Sequence, residues 1–188
     1  MFKFLSVISL ALVLVACQGR EEATTTTETS TTTATSTAPS PLSESDAQWV
    51  QTAARGGMAE VKLSENLGQR GANAEVRQFA QLMVADHNSA NAELTHIVTG
   101  RNVELPADLD AEHNALDAEL GKLRGAALDK KYMEAMVKDH RKAVADFQAG
   151  TTSLQDPAVR DFTIKTLPKL QEHLQMAEAL AAKVGVKV

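Results

Sequence analysis

The sequence is most informative at first through what it lacks. It has one cysteine, Cys17, in 188 residues, so no intramolecular disulfide can hold the chain together and a packed core has to do so. Aromatic residues make up only 4%, with a single tryptophan and a single tyrosine. No segment alternates apolar and polar residues for long, which argues against a β-sandwich or barrel. Cationic excess is also missing. Lys and Arg number 19 against 24 Asp and Glu, a formal charge of −5, so there is no basic stripe for nucleic acid and no electrostatic footing on anionic lipid. The chain has no Gly-rich phosphate loop, no Ser-His-Asp order, no cysteine nucleophile in its body and no Cys-x-x-Cys-His for covalent haem. Nothing in it argues for an enzyme.

Long apolar runs are absent too. The one candidate, Phe4 to Val15, follows Lys3 and ends at Leu14-Val15-Ala16-Cys17. It falls short of the roughly 20 apolar residues of a membrane-spanning helix. A basic start, a short apolar core and small residues at the cut are the layout of a secretory signal, residues 1–16. A cysteine directly after the small residues resembles a bacterial lipobox, which implies lipidation of Cys17. By the same resemblance Gln18, in place of an aspartate, implies the outer membrane. Residues 17–41 are dominated by Thr and Ser and hold no large apolar side chain. They cannot bury a core and are expected to form a disordered tether.

Residues 42–188 are rich in Ala, Leu, Glu, Gln, Lys and Met, all helix formers. Their length suits one domain with its own core. The apolar spacing predicts four long helices. The first is capped by Ser43 or Ser45 and stops at Gly71. The second is capped by Asn73 and ends near Gly100. The third is capped by Asp129 and closes at Gly150. The fourth starts at Asp156-Pro157 and carries Pro168, expected to kink it. A shorter helix over about Asp110 to Leu123 fills the connection between the second and third. The expected fold is therefore all-α, a ferritin-like four-helix bundle with a short crossover helix between helices 2 and 3.

One phrase occurs twice. Met83-Val84-Ala85-Asp86-His87 and Met136-Val137-Lys138-Asp139-His140 share Met-Val-x-Asp-His, 53 residues apart, a repeat that fits a bundle of two helix pairs. His87, His140 and His173 each fall on the apolar stripe of a different long helix, and Glu60 falls on the inward side of the first. Four buried polar groups require partners, since each left unsatisfied costs about 1–3 kcal/mol. The di-iron pattern needs Glu three residues before His. Val84, Val137 and Leu170 stand there instead, which speaks against a ferroxidase or di-iron oxygenase. Asp86 and Asp139 are expected in salt bridges, or bonded to a histidine on a neighbouring helix. Asp129 and Tyr132 read as a cap and a packed ring, and His96 and His113 as exposed.

Three stretches, AARGGMAEVKLSENLGQRGANAEVRQFAQLMVADHNSANAEL, LDKKYMEAMVKDHRKAV and TLPKLQEHLQMA, occur in an order that resembles the bacterial family catalogued as domain of unknown function 4142. Its members are labelled predicted outer membrane proteins and grouped with the ferritin-like superfamily. The resemblance spans Asp46 to Leu180 and departs at Leu128, where the family pattern has phenylalanine. It implies a helical bundle in the cell envelope and no particular activity.

Two functional readings follow. The leading one is a lipid-anchored outer-membrane protein whose periplasm-facing bundle binds or scaffolds envelope components, with envelope stress protection as its context. In that reading the membrane is reached through Cys17, and an envelope protein or cell-wall polymer is the partner. The alternative is a metal-handling or redox protein. Its site is Glu60, His87, His140 and His173, with Met83 and Met136 one turn before two of the histidines as weaker donors. Its ion is copper or iron.

Overall fold

The computed structural model describes residues 39–187 apart from Gln69. The expected signal segment of residues 1–16, Cys17 and most of the expected tether lie outside the described residues.

Five helices account for the domain: α1 Glu44–Leu67, α2 Ala74–Val98, α3 Ala111–Lys122, α4 Gly125–Ser153 and α5 Pro157–Lys183. Local chemistry starts most of them. Ser43 accepts from the backbone N–H of Asp46, Asn73 from Glu75 and Val76, Asp110 from His113, and Asp156 from Val159 with Pro157 in the first turn. Each of these side chains satisfies backbone donors that a helix start leaves free.

α4 departs from expectation at both ends. It begins at Gly125, ahead of Asp129, and its preceding residue Arg124 makes no side-chain cap. Asp129 is buried inside the helix and its Oδ2 accepts from the N–H groups of Ala72 and Asn73 at 3.0 and 2.7 Å. It caps the α1–α2 turn across the bundle, not its own helix. Nor does Gly150 end α4. A Cβ there would lie 3.1–3.2 Å from Leu154, Thr163 and Trp49, so the glycine serves close packing. α1, in turn, ends at Leu67, before the expected Gly71, where Gly68 takes a positive φ of 33°.

Helix α1 packs on α2 and α4, and α5 packs on α4 and α2. The α3 crossover lies against α1 and α4 and returns the chain to the end where α1 finished, where Gly125 N–H meets the Arg70 carbonyl at 2.9 Å. α2 and α4 thus face each other across the diagonal and run the same way. This is the four-helix bundle with a long crossover expected from the sequence. Among the described residues no helix is long and apolar enough to cross a membrane.

The interior is two cores and not one. Leu63, Leu67, Phe79, Met83, Tyr132, Met133 and Met136 lead the first. Val50, Leu94, Phe147, Val159, Phe162 and Leu170 lead the second. Along every long helix the change from one core to the other falls at the same level. Glu60 lies between Ala54 and Leu63, His87 between Met83 and Leu94, His140 between Val137 and Phe147, and His173 between Leu170 and Ala177. The polar groups occupy a single layer through the middle of the bundle.

Candidate metal centre

All four sequence-selected residues of this layer are buried, His140 completely. The imidazole centroids of His87, His140 and His173 are 5.4–5.6 Å apart. One ring nitrogen from each comes within 4.8 Å of the others.

The outward nitrogens are all engaged. His87 Nδ1 is 2.9 Å from Glu60 Oε2. His140 Nδ1 donates to the Met136 carbonyl at 2.9 Å, with Glu60 Oε1 at 3.2 Å. His173 Nε2 donates to Asp86 Oδ2 at 2.9 Å. Carbonyl and carboxylate oxygens only accept, so each contact places the proton on that nitrogen and fixes the tautomer. The other nitrogens, His87 Nε2, His140 Nε2 and His173 Nδ1, are buried without a partner. Three imidazoles from α2, α4 and α5, when neutral with the proton on the outward nitrogen, turn lone pairs into the same small volume.

Electrostatics follow from burial and from Glu60. Burial works against charge on Glu60, yet the neighbouring His87 and His140 outweigh it and hold the carboxyl down at about 2. Burial likewise works against a charged His87, but Glu60 beside it raises its pKa above the usual histidine value. His140 is lowered by burial, against the pull of Glu60. His173 is lowered to about 4, again by burial and against its bond to Asp86. The layer thus contains one carboxylate that favours a proton on His87 and two imidazoles that resist protonation.

The remaining candidates separate from this group. Both Glu60 oxygens face outward nitrogens, so Glu60 orients two rings. Met83 and Met136 are packed among Leu63, Phe79 and Tyr132 in the first core, and Met136 meets the histidines through its carbonyl. Asp86 makes the inter-helix bond to His173, with Lys169 at 3.9 Å. Tyr132 hydrogen-bonds Ser64 Oγ at 2.8 Å, and burial pushes its hydroxyl up, away from acid–base use. His113 differs from expectation. It is half-buried on α3, with Nδ1 2.8 Å from Asp110 Oδ2 and Nε2 3.8 Å from Asp139 Oδ2. Its signal in the sequence was Asp110 three residues earlier.

A cavity of about 540 Å³ joins the layer to the second core, lined by Glu60, His87 and His173 of the layer and by Trp49, Leu94 and Phe162 of that core. Small side chains, Ala53, Ala90 and Ala143, line it as well, while the space beside Gly57 is taken by the Asn91 side chain.

The family model described as Domain of unknown function (DUF4142) matches residues 31–180. The chain belongs to that family. No curated protein matches the chain. Among solved structures, the DUF4142 chain resembles a DUF305 fragment from Deinococcus radiodurans, with a TM-score of 0.68 and 15% identity over 76% of this chain and 99% of that one. It also resembles a DUF305 protein from Streptomyces coelicolor, described as a presumed secreted protein, with a TM-score of 0.66 and 16% identity over 76% and 93% of the two chains. At such identities these likenesses establish the shared bundle fold for this DUF4142 domain and nothing of its activity.

Proposed function

We propose that this protein holds a transition-metal ion between His87, His140 and His173, with copper the leading candidate. The observation that carries the reading is the set of three buried, unpartnered ring nitrogens turned toward one another. A purely structural network would pair them, because each unpaired buried acceptor costs about 1–3 kcal/mol. A cation satisfies all three at once. The outer contacts to Glu60, Asp86 and the Met136 carbonyl are those that orient metal-binding imidazoles and raise their basicity. Neutral imidazole donors suit copper, zinc, iron and nickel, and among divalent ions copper binds such sites most tightly. The ion would supply Lewis acidity or a redox centre facing the cavity.

The setting we propose is the outer membrane, with the protein anchored through lipid on Cys17 and its domain facing the periplasm. The signal layout of residues 1–16 and the lack of any other cysteine support this, as does the presumed secretion of the Streptomyces DUF305 protein.

Elemental analysis of the purified protein after dialysis against copper tests the metal reading. One equivalent per chain is expected, lost in a His87→Ala/His140→Ala variant. A protein that stays metal-free and is indifferent to copper would return the four groups to a structural network. For the anchor, Cys17→Ser is expected to abolish fatty-acid labelling and to release the protein from membranes; unchanged partitioning would count against it.

A further inference from the structure

Resting on that metal reading, we propose a second, outer cation site in the same cavity. It is formed by His113 and Asp139, and the ion passes through it on its way to the buried histidines. The residues come from different elements, α3 and α4, and neither belongs to the buried histidine layer. His113 is oriented as the inner histidines are. Asp110 accepts from its Nδ1 at 2.8–2.9 Å, which leaves the lone pair on Nε2. Nε2 lies 3.8 Å from Asp139 Oδ2, too far for a hydrogen bond. Asp139 Oδ2 is itself buried and unpartnered. His113 Nε2 and Asp139 Oδ2 thus lie close together without a hydrogen bond, and a cation between them would take both as ligands.

A first-row cation with bonds of about 2.0–2.2 Å to nitrogen and oxygen bridges such a gap. The inner site offers three buried, unpartnered nitrogens. The outer pair differs in offering only two ligands and in lying on a partly exposed ring, since the His113 side chain is 17% accessible. Two protein donors hold an ion weakly and release it readily. Continuity makes the site a relay: Asp110, His113 and Asp139 line the same cavity as Glu60, His87 and His173. Without such a route, an ion reaching fully buried imidazoles would have to wait for the bundle to open. Arg55 lines the same cavity and sets a positive charge near Asp110, opposing the incoming cation.

The test uses the full-length protein and Cu(II) alone as probe. Paramagnetic Cu(II) quenches tryptophan emission, and the sole tryptophan, Trp49, lines the cavity. Equilibrium titration first establishes affinity, and stopped-flow mixing then gives the loading rate. Release is followed with excess chelator. His113→Ala and Asp139→Asn are each expected to slow loading and release about fivefold or more and to leave Kd within about twofold, because a transit site alters the path and not the end state. Arg55→Ala is expected to speed loading, a change of sign that a loosened fold with weaker binding would not produce together with an unchanged Kd. His113→Gln, which retains a polar side chain on the partly exposed α3, guards against misfolding and should also load slowly. Unchanged rates in the His113 variants would overturn the proposal. So would a loss of affinity with unchanged loading, which would make His113 and Asp139 supports of the inner site. If the wild-type protein takes up no Cu(II) at equilibrium, the inner-site reading fails first, and the relay falls with it.

Discussion

At the residue scale, the decisive feature is which nitrogen of each imidazole carries its proton. Histidine on an apolar stripe is ambiguous, but a neutral histidine whose outer nitrogen must donate to Asp86, Glu60 or a carbonyl has only its lone pair to offer inward. The same environments set pH behaviour in the ion-free protein. His173, depressed to about 4, and His140, also depressed, stay neutral in the folded state while their unfolded counterparts protonate. Their contribution to stability is lost as pH falls below about 6.5. Glu60, held at about 2, contributes above about 4.5 and loses this as pH falls toward 2. His87 has the opposite sign, since its raised pKa adds stability below about 6.5 that is lost as pH rises. Asp139, pushed up to about 6 by burial, partly offsets the imidazoles on the acid side. NMR titration is expected to show His173 protonating near pH 4 and His87 above its ordinary value. Urea midpoints should fall between pH 6.5 and 4, and less steeply in His173→Gln.

At the element scale, the two hairpins are stitched by equivalent caps. Asp46, near the start of α1, accepts from the N–H groups of Gln155 and Asp156. Asp129, near the start of α4, accepts from Ala72 and Asn73. Each holds the turn of the other hairpin. The same 83 residues separate Asp46 from Asp129 and the helix caps Asn73 from Asp156, so α1–α2 corresponds to α4–α5. Under that correspondence His87 matches Leu170 and His140 matches Gly57. The twin Met-Val-x-Asp-His phrases therefore lie on non-equivalent helices. They coincide because α2 and α4 run in the same direction and present a histidine at the same level. Asp129→Ala and Asp46→Ala should each cost about 1–3 kcal/mol in urea unfolding, by leaving backbone donors unpaired. Their effects should add, because they act at opposite ends of the bundle. Faster amide exchange at Ala72 and Asn73 in Asp129→Ala would locate the loss.

For the whole molecule, a polar layer divides the bundle into two apolar cores, and an ion there would bind α2, α4 and α5 together. An ion that binds only the folded state stabilises it by mass action. Free Cu(II) at 100 times its Kd is expected to add about 2.7 kcal/mol. Calorimetry with and without Cu(II) measures this, and a His140→Ala protein should show no gain. Without the ion, the contacts of Glu60 with His87 and His140 still link α1, α2 and α4.

The helices, most of their caps and the inward placement of Glu60, His87, His140 and His173 were legible in the sequence, because capping and amphipathic spacing act within a few residues. The readings of residues 1–41 as a signal, an acylated cysteine and a tether rest on equally local features of the sequence and fall almost wholly outside the described residues. Asp129 misled because its cap serves a turn 56 residues away, a relation that spacing cannot encode. The direction of each ring, the split core, the cavity and the meeting of His113 with Asp139 were decided only by the crossover. They depend on which helices become neighbours and at what height, and the sequence states neither until the chain has closed.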